Sequence, residues 1–121
     1  MNEPRRDLNE RTLTFATRVI KLIKSLPKET TENIIAIQLS KSATSIGANY
    51  REACHAKSPR DYASKLKICE GEAAETLYWL QLISNSGIIQ EKRLSNLIQE
   101  SRELVAIFTS ATKKAYINIS N

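Results

Sequence analysis

At 121 residues the chain has the length of one domain and can bury one core without disulfide or metal staples. Three glycines and three prolines are too few turn residues for an all-β fold of many short strands, and helix formers dominate. A net charge of +5 admits an anionic partner. No apolar run approaches the roughly 18 residues of a membrane span, and Met1 to Asp7 lacks the apolar segment of a secretory signal, so a cytoplasmic protein is expected.

The first helix is predicted over about 7–26, with Leu8, Phe15, Val19, Leu22, Ile23 and Leu26 as its apolar face and Pro27 as its stop. Thr30 or Thr31 is placed to cap a second helix over about 32–56. Its stripe of Ile35, Leu39, Ala43, Ile46, Tyr50 and Ala53 follows a seven-residue rhythm. Ser58-Pro59 puts a cap before proline at the first helical position, so a third helix is predicted over 59–85, with Tyr62, Leu66, Cys69, Ala73, Leu77 and Leu80 inside and Gly87 closing it.

The last helix is predicted over about 90–115, burying Leu94, Leu97, Ser101, Leu104, Ile107, Phe108 and Ala111, and 116–121 reads as a frayed tail. Four long helices on short connections leave antiparallel neighbours: an all-α, up-down-up-down four-helix bundle in a single domain, 1–121. Cys54 and Cys69 lack both CxxC spacing and the set of histidines of a metal or redox site, and read as small apolar residues inside helices.

Within the second helix, Ser42, Ser45, Asn49 and Glu52 recur at intervals of three, four and three, beside the apolar stripe. Polar groups at such positions need partners, which predicts a specified interface more than a catalytic pocket. On the third helix Ile68, Trp79 and Leu82 lie roughly opposite the core stripe. Trp79 could lie across a groove of its own bundle, but the three together read better as a contact between subunits.

The segment Lys41-Ser42-Ala43-Thr44-Ser45-Ile46-Gly47-Ala48-Asn49-Tyr50-Arg51-Glu52-Ala53, with the later Leu66-Lys67-Ile68-Cys69-Glu70-Gly71-Glu72-Ala73-Ala74-Glu75, resembles the four-helix-bundle proteins encoded in intervening sequences of 23S ribosomal RNA genes. The family pattern is roughly R-S-A-x-S-I-x-x-N-I-x-E-G followed by L-x-I-A-x-G-S-x-x-E, and the similarity runs from about Phe15 to Phe108. These proteins have been labelled ribosomal-protein-like without being established ribosome components. The resemblance implies a homopentamer. Through a related accessory protein of diversity-generating retroelements, which binds nucleic acid and a reverse transcriptase, it also implies contact with RNA or DNA. Lys41 stands where the pattern has arginine, losing the fork that grips a carboxylate or phosphate bidentately. Tyr50, Ala53 and Glu72 depart from it as well.

Glu52 and Glu75 are the carboxylates that stand where the family pattern has glutamate, and Glu52 precedes the single histidine, His55, by three. A di-iron bundle needs that Glu-x-x-His pairing twice, so no metal or cofactor is expected. Ser42 and Ser45 lack a histidine to activate them and no Gly-rich phosphate loop exists, which argues against an enzyme. Lys41, Ser42, Ser45, Asn49, Glu52 and Glu75 are therefore expected to form a polar network that fixes register or subunit arrangement. Arg11, Arg18, Lys21, Lys24 and Lys28 share a broad side of the first helix, extended by Arg5 and Arg6. Charge runs are usually solvated faces, but a stripe repeated around a ring acts multivalently on one polyanion. The expectation is a self-assembling scaffold or accessory protein that binds RNA or DNA phosphates; the alternative is an adaptor for a protein partner on the Trp79 face or on the acidic Glu70, Glu72 and Glu75.

Overall fold

A computed structural model describes residues 4–120, with side chains from Asp7 onward. It contains four helices: α1 (Pro4–Lys24), α2 (Thr30–Cys54), α3 (Pro59–Asn85) and α4 (Glu91–Ser120). Sequence neighbours pack side by side, most extensively α3 with α4 and α2 with α3, less so α1 with α2 and least α1 with α4. The result is an antiparallel four-helix bundle in which α1 lies across the diagonal from α3.

Local chemistry explains most boundaries. Ser58 Oγ accepts the Asp61 N–H at 3.0 Å, and the Asp61 carboxylate accepts the Lys57 N–H at 3.4 Å, so the cap of α3 stands where the sequence put it. Gly87 closes that helix with φ of +74°, a left-handed conformation that favours glycine. Several ends differ from expectation. Thr30 and Thr31 are already helical, behind a Glu29 cap that makes no side-chain bond, and α2 stops at Cys54 instead of Ala56. α1 stops at Lys24, yet Leu26 is buried just beyond it. The expected tail is helical as far as Ser120, because buried Ala115 and half-buried Ile119 continue the core stripe of α4; Asn121 lies outside the described residues.

Phe15, Leu39, Ile46, Leu80, Leu104 and Phe108 are among the buried core side chains. Tyr50 and Phe108 meet edge to face across the core, centroids 5.7 Å apart. On α3 the buried stripe includes Ala63, Thr76 and Ile83, while Tyr62 and Leu77 are only half-buried. Ile107 and Ala111 of α4 are likewise half-buried. Cys69 is buried, its thiol donating to the Ile46 carbonyl at 3.5 Å and pushed up to about 12 by burial, whereas Cys54 is half-buried; neither is in a disulfide.

Candidate interaction surfaces

The polar row of α2 resolves into separate contacts. Ser42 is buried, and the Thr76 hydroxyl is shared between Ser42 Oγ at 2.9 Å and the Glu72 carbonyl at 2.8 Å. This link between α2 and α3 contributes about 1 kcal/mol. Ser45 Oγ donates to the Lys41 carbonyl at 2.6 Å and Asn49 Nδ2 to the Ser45 carbonyl at 2.8 Å, both within their own helix. Glu52 pairs with Lys65 at 2.9 Å, and Glu75 accepts the Trp79 indole N–H at 3.1 Å. The six residues thus do not form one continuous network. Ser42 and Glu52 reach α3 at two separate points, through Thr76 and Lys65, and neither partner was singled out from sequence.

Lys41 and Glu75 instead act on Glu72. Burial raises the Glu72 carboxyl above its ordinary range, the charge of Glu75 raises it further, and Lys41 opposes both. Glu72 and Glu75 therefore share one side of α3, while Glu70 points away from them around the helix and has Lys67 at 3.6 Å.

The second apolar face of α3 is only partly exposed. Ile68 is 42% exposed, but Trp79 and Leu82 are half-buried and pack against their own core, so for Trp79 the groove reading describes the geometry. The exposed aromatic of α3 is Tyr78, which stacks edge to face on Trp79 at 5.0 Å between centroids. A larger apolar surface lies elsewhere. Leu13 and Ile20 of α1 and Ile34 and Ile37 of α2 are 58%, 40%, 57% and 59% exposed. Leu13 and Ile20 help line a largely apolar groove of about 340 Å³ between α1 and α2. Their spacing away from the core stripe, seven residues on α1 and three on α2, was legible in the sequence.

The basic row divides. Arg11 belongs to the bundle: its Nε donates to Glu100 at 2.7 Å, and Nη2 reaches Glu100 at 2.9 Å and Glu103 at 2.7 Å, pinning α1 to α4 and raising the guanidinium pKa. Arg18, Lys21, Lys24 and Lys28 are exposed and make no ion pair among the described residues. Arg93 joins their end of the bundle by donating to Ser25 Oγ at 3.4 Å, and Lys92 precedes it; sequence reading missed both, because they come from α4. The side chains of Arg5 and Arg6 lie outside those described.

Among the described residues no group of three or more His, Cys, Asp or Glu could hold a metal, and His55 sits exposed at the end of α2 beside a Glu52 already engaged by Lys65. No helix among them is long and apolar enough to cross a membrane.

The family model for the 23S rRNA-intervening sequence protein matches residues 6–110. Among solved structures, a protein of unknown function from the S23 ribosomal protein family of Bacteroides thetaiotaomicron is 36% identical, with a TM-score of 0.82 over 90% of this chain and 97% of that one. No curated protein matches. With its two motifs on α2 and α3 and a match over most of its length, the chain belongs to the 23S rRNA-intervening sequence protein family.

Proposed function

We propose that the chain is a non-enzymatic, self-assembling scaffold or accessory protein that holds RNA or DNA by its phosphates. The observation that carries the assembly is the exposure of large apolar side chains on outward helix faces: Leu13, Ile34, Ile37 and Tyr78 are each more than half exposed. Contiguous exposed apolar surface on a small domain marks an interaction site. Five copies is the number the family resemblance implies. The phosphate part rests on Arg18, Lys21, Lys24 and Lys28, which have no acidic partner among the described residues, with Lys92 and Arg93 at the same end. Glu29 and Glu91 are exposed at that end too, so single-copy binding is weak and the repeat supplies affinity.

Light scattering at micromolar concentration should give a multiple of the 13.6 kDa chain mass; a monomer refutes assembly. Anisotropy of a labelled generic RNA should rise on binding, weaken with added salt, and weaken further when Arg18, Lys21 and Lys24 are changed together to Glu. No binding at low salt refutes the phosphate reading. A cellular partner retained through nuclease and high salt would replace it with the protein-directed adaptor.

A further inference from the structure

We propose that the groove between α1 and α2 of one copy receives the outer face of α3 from the next, so that the chain assembles head to tail. The inference rests on the self-assembly reading and names the two surfaces that meet.

The groove is shaped for a protruding apolar side chain. Its floor is closed where Gly47 comes so near α1 that an added Cβ would lie 2.9 Å from Thr12 Oγ1. Small side chains, Ala16 and Ala48, keep it open, and Leu13 and Ile20 form its α1 wall. Ile37 and Ile34 extend the exposed apolar surface toward the start of α2.

The outer face of α3 carries what such a groove lacks. Ile68 and Tyr78 stand 42% and 55% exposed. Between them in sequence are Gly71 and Ala74, both exposed, and nothing lies within 4 Å of a Cβ added to Gly71. A second helix pair can therefore approach this stretch of backbone closely.

Charge favours the same pairing. Arg51 lines one end of the groove and makes no ion pair among the described residues. Exposed Lys24 follows Ile20 by one helical turn toward the other end. On α3 the residues between Ile68 and Tyr78 include Glu72 and Glu75, while Lys67 is already drawn to Glu70 at 3.6 Å. A basic-ended apolar groove meeting an acidic-flanked apolar ridge is complementary. Groove against groove, or α3 against α3, would set like charges together.

Because α3 lies diagonally across the bundle from α1, the two surfaces are different sides of one molecule. Their contact is heterologous, and repeated copies close a ring or extend a filament.

Complementation of two blocked variants tests the pairing. Ala48→Trp fills the groove and leaves α3 intact; Ile68→Asp with Tyr78→Asp spoils α3 and leaves the groove intact. All three positions are exposed, so the bundle should fold, as circular dichroism checks; Thr44→Trp, also lining the groove, replaces any Ala48 variant that does not. The expected result is that each variant alone falls to the mass of a single chain and that an equimolar mixture forms a one-to-one heterodimer, through its one intact interface. A wild-type assembly that Ala48→Trp leaves whole overturns the groove and leaves self-assembly standing, as does a mixture that remains monomeric. Monomeric wild type overturns the self-assembly reading and this one with it.

Discussion

Changing Gly47 to alanine and changing Gly71 to alanine are expected to shift the stability of this bundle in opposite directions. Glycine inside an exposed helix is about 1 kcal/mol less favourable than alanine, so both substitutions begin with the same gain. At Gly71 nothing lies within 4 Å of the new Cβ, and the gain is kept. At Gly47 that carbon would sit 2.9 Å from Thr12 Oγ1 and 3.2 Å from Thr12 Cβ. Thr12 is 1% exposed, and its hydroxyl donates to the Leu8 carbonyl at 2.7 Å. A β-branched side chain so held cannot swing aside without breaking a buried hydrogen bond, a cost of about 1–3 kcal/mol. The alternative, α1 moving off α2, incurs an overpacking cost of about the same 1–3 kcal/mol. Either route exceeds the propensity gain, leaving Gly47→Ala about 1 kcal/mol less stable than the parent and about 2 kcal/mol below Gly71→Ala. Urea unfolding followed by circular dichroism measures both, at one protomer concentration and with Ile68→Asp present so that assembly does not enter. With Thr12→Ala also present the 2.9 Å contact with Oγ1 is gone and only the 3.2 Å approach to the Cβ remains, so Gly47→Ala should then cost less than it does with Thr12 in place. If Gly47→Ala stabilises as much as Gly71→Ala while Thr12 is in place, the close approach of α1 and α2 is refuted.

Two further substitutions probe the charged contacts. Arg11→Met should lower stability by about 1 kcal/mol through loss of the two-pronged bond to Glu100, and hydrogen exchange should quicken along α1 while α3 stays protected; uniform acceleration would show that Arg11 does not act as a local clasp. The Glu72 carboxyl binds its proton more tightly folded than unfolded, because burial and Glu75 raise its pKa above the ordinary 4.5. Stability should therefore fall as pH rises through the window just above 4.5, and stay lower beyond it. Glu72→Gln should match the parent at acid pH, where both states of the parent are protonated, and exceed it at pH 7; a Gln variant less stable at pH 7 contradicts this.

Helix order, the cap at Ser58, the close at Gly87 and the core residues of α2 were legible because each is a local or single-period signal. Helix ends were less so: whether Thr30 caps or continues α2 depends on the approach of the α1–α2 turn, which no residue pattern contains. Thr12 escaped notice because its burial follows from the absence of a Cβ at Gly47, a complementarity between two helices. Arg11 looked like part of the basic row by periodicity alone. Only the packing of α4 against α1 brings Glu100 and Glu103 to it, and the same packing supplies Arg93 to the row that remains. The outer apolar face of α3 was visible as a stripe, yet which of its side chains fold back on the core is settled by their reach. Trp79 bends inward and Tyr78 does not.

The α2 motif makes sense as a helix with neighbours on several sides. Toward α1, Gly47 admits Thr12; toward α3, Ser42 meets Thr76 inside the core. The other polar members, Thr44, Ser45 and Asn49, spend their hydrogen bonds on carbonyls one turn back, at Ser40, Lys41 and Ser45. Such back-bonding turns these groups onto their own helix and adds no charge that repels a second surface. Leucine at these positions would make the outer side of α2 sticky toward any apolar partner, and lysine or glutamate would hold every partner away. Short side chains bonded to their own helix do neither. Between Ile37 and Thr44 this flank carries one charge, exposed Lys41, and its apolar members, Ile34, Ile37 and Ala48, decide what binds. Selectivity on that flank then comes from its charged ends, Lys24 and Arg51, and from the shape that Gly47 sets between them.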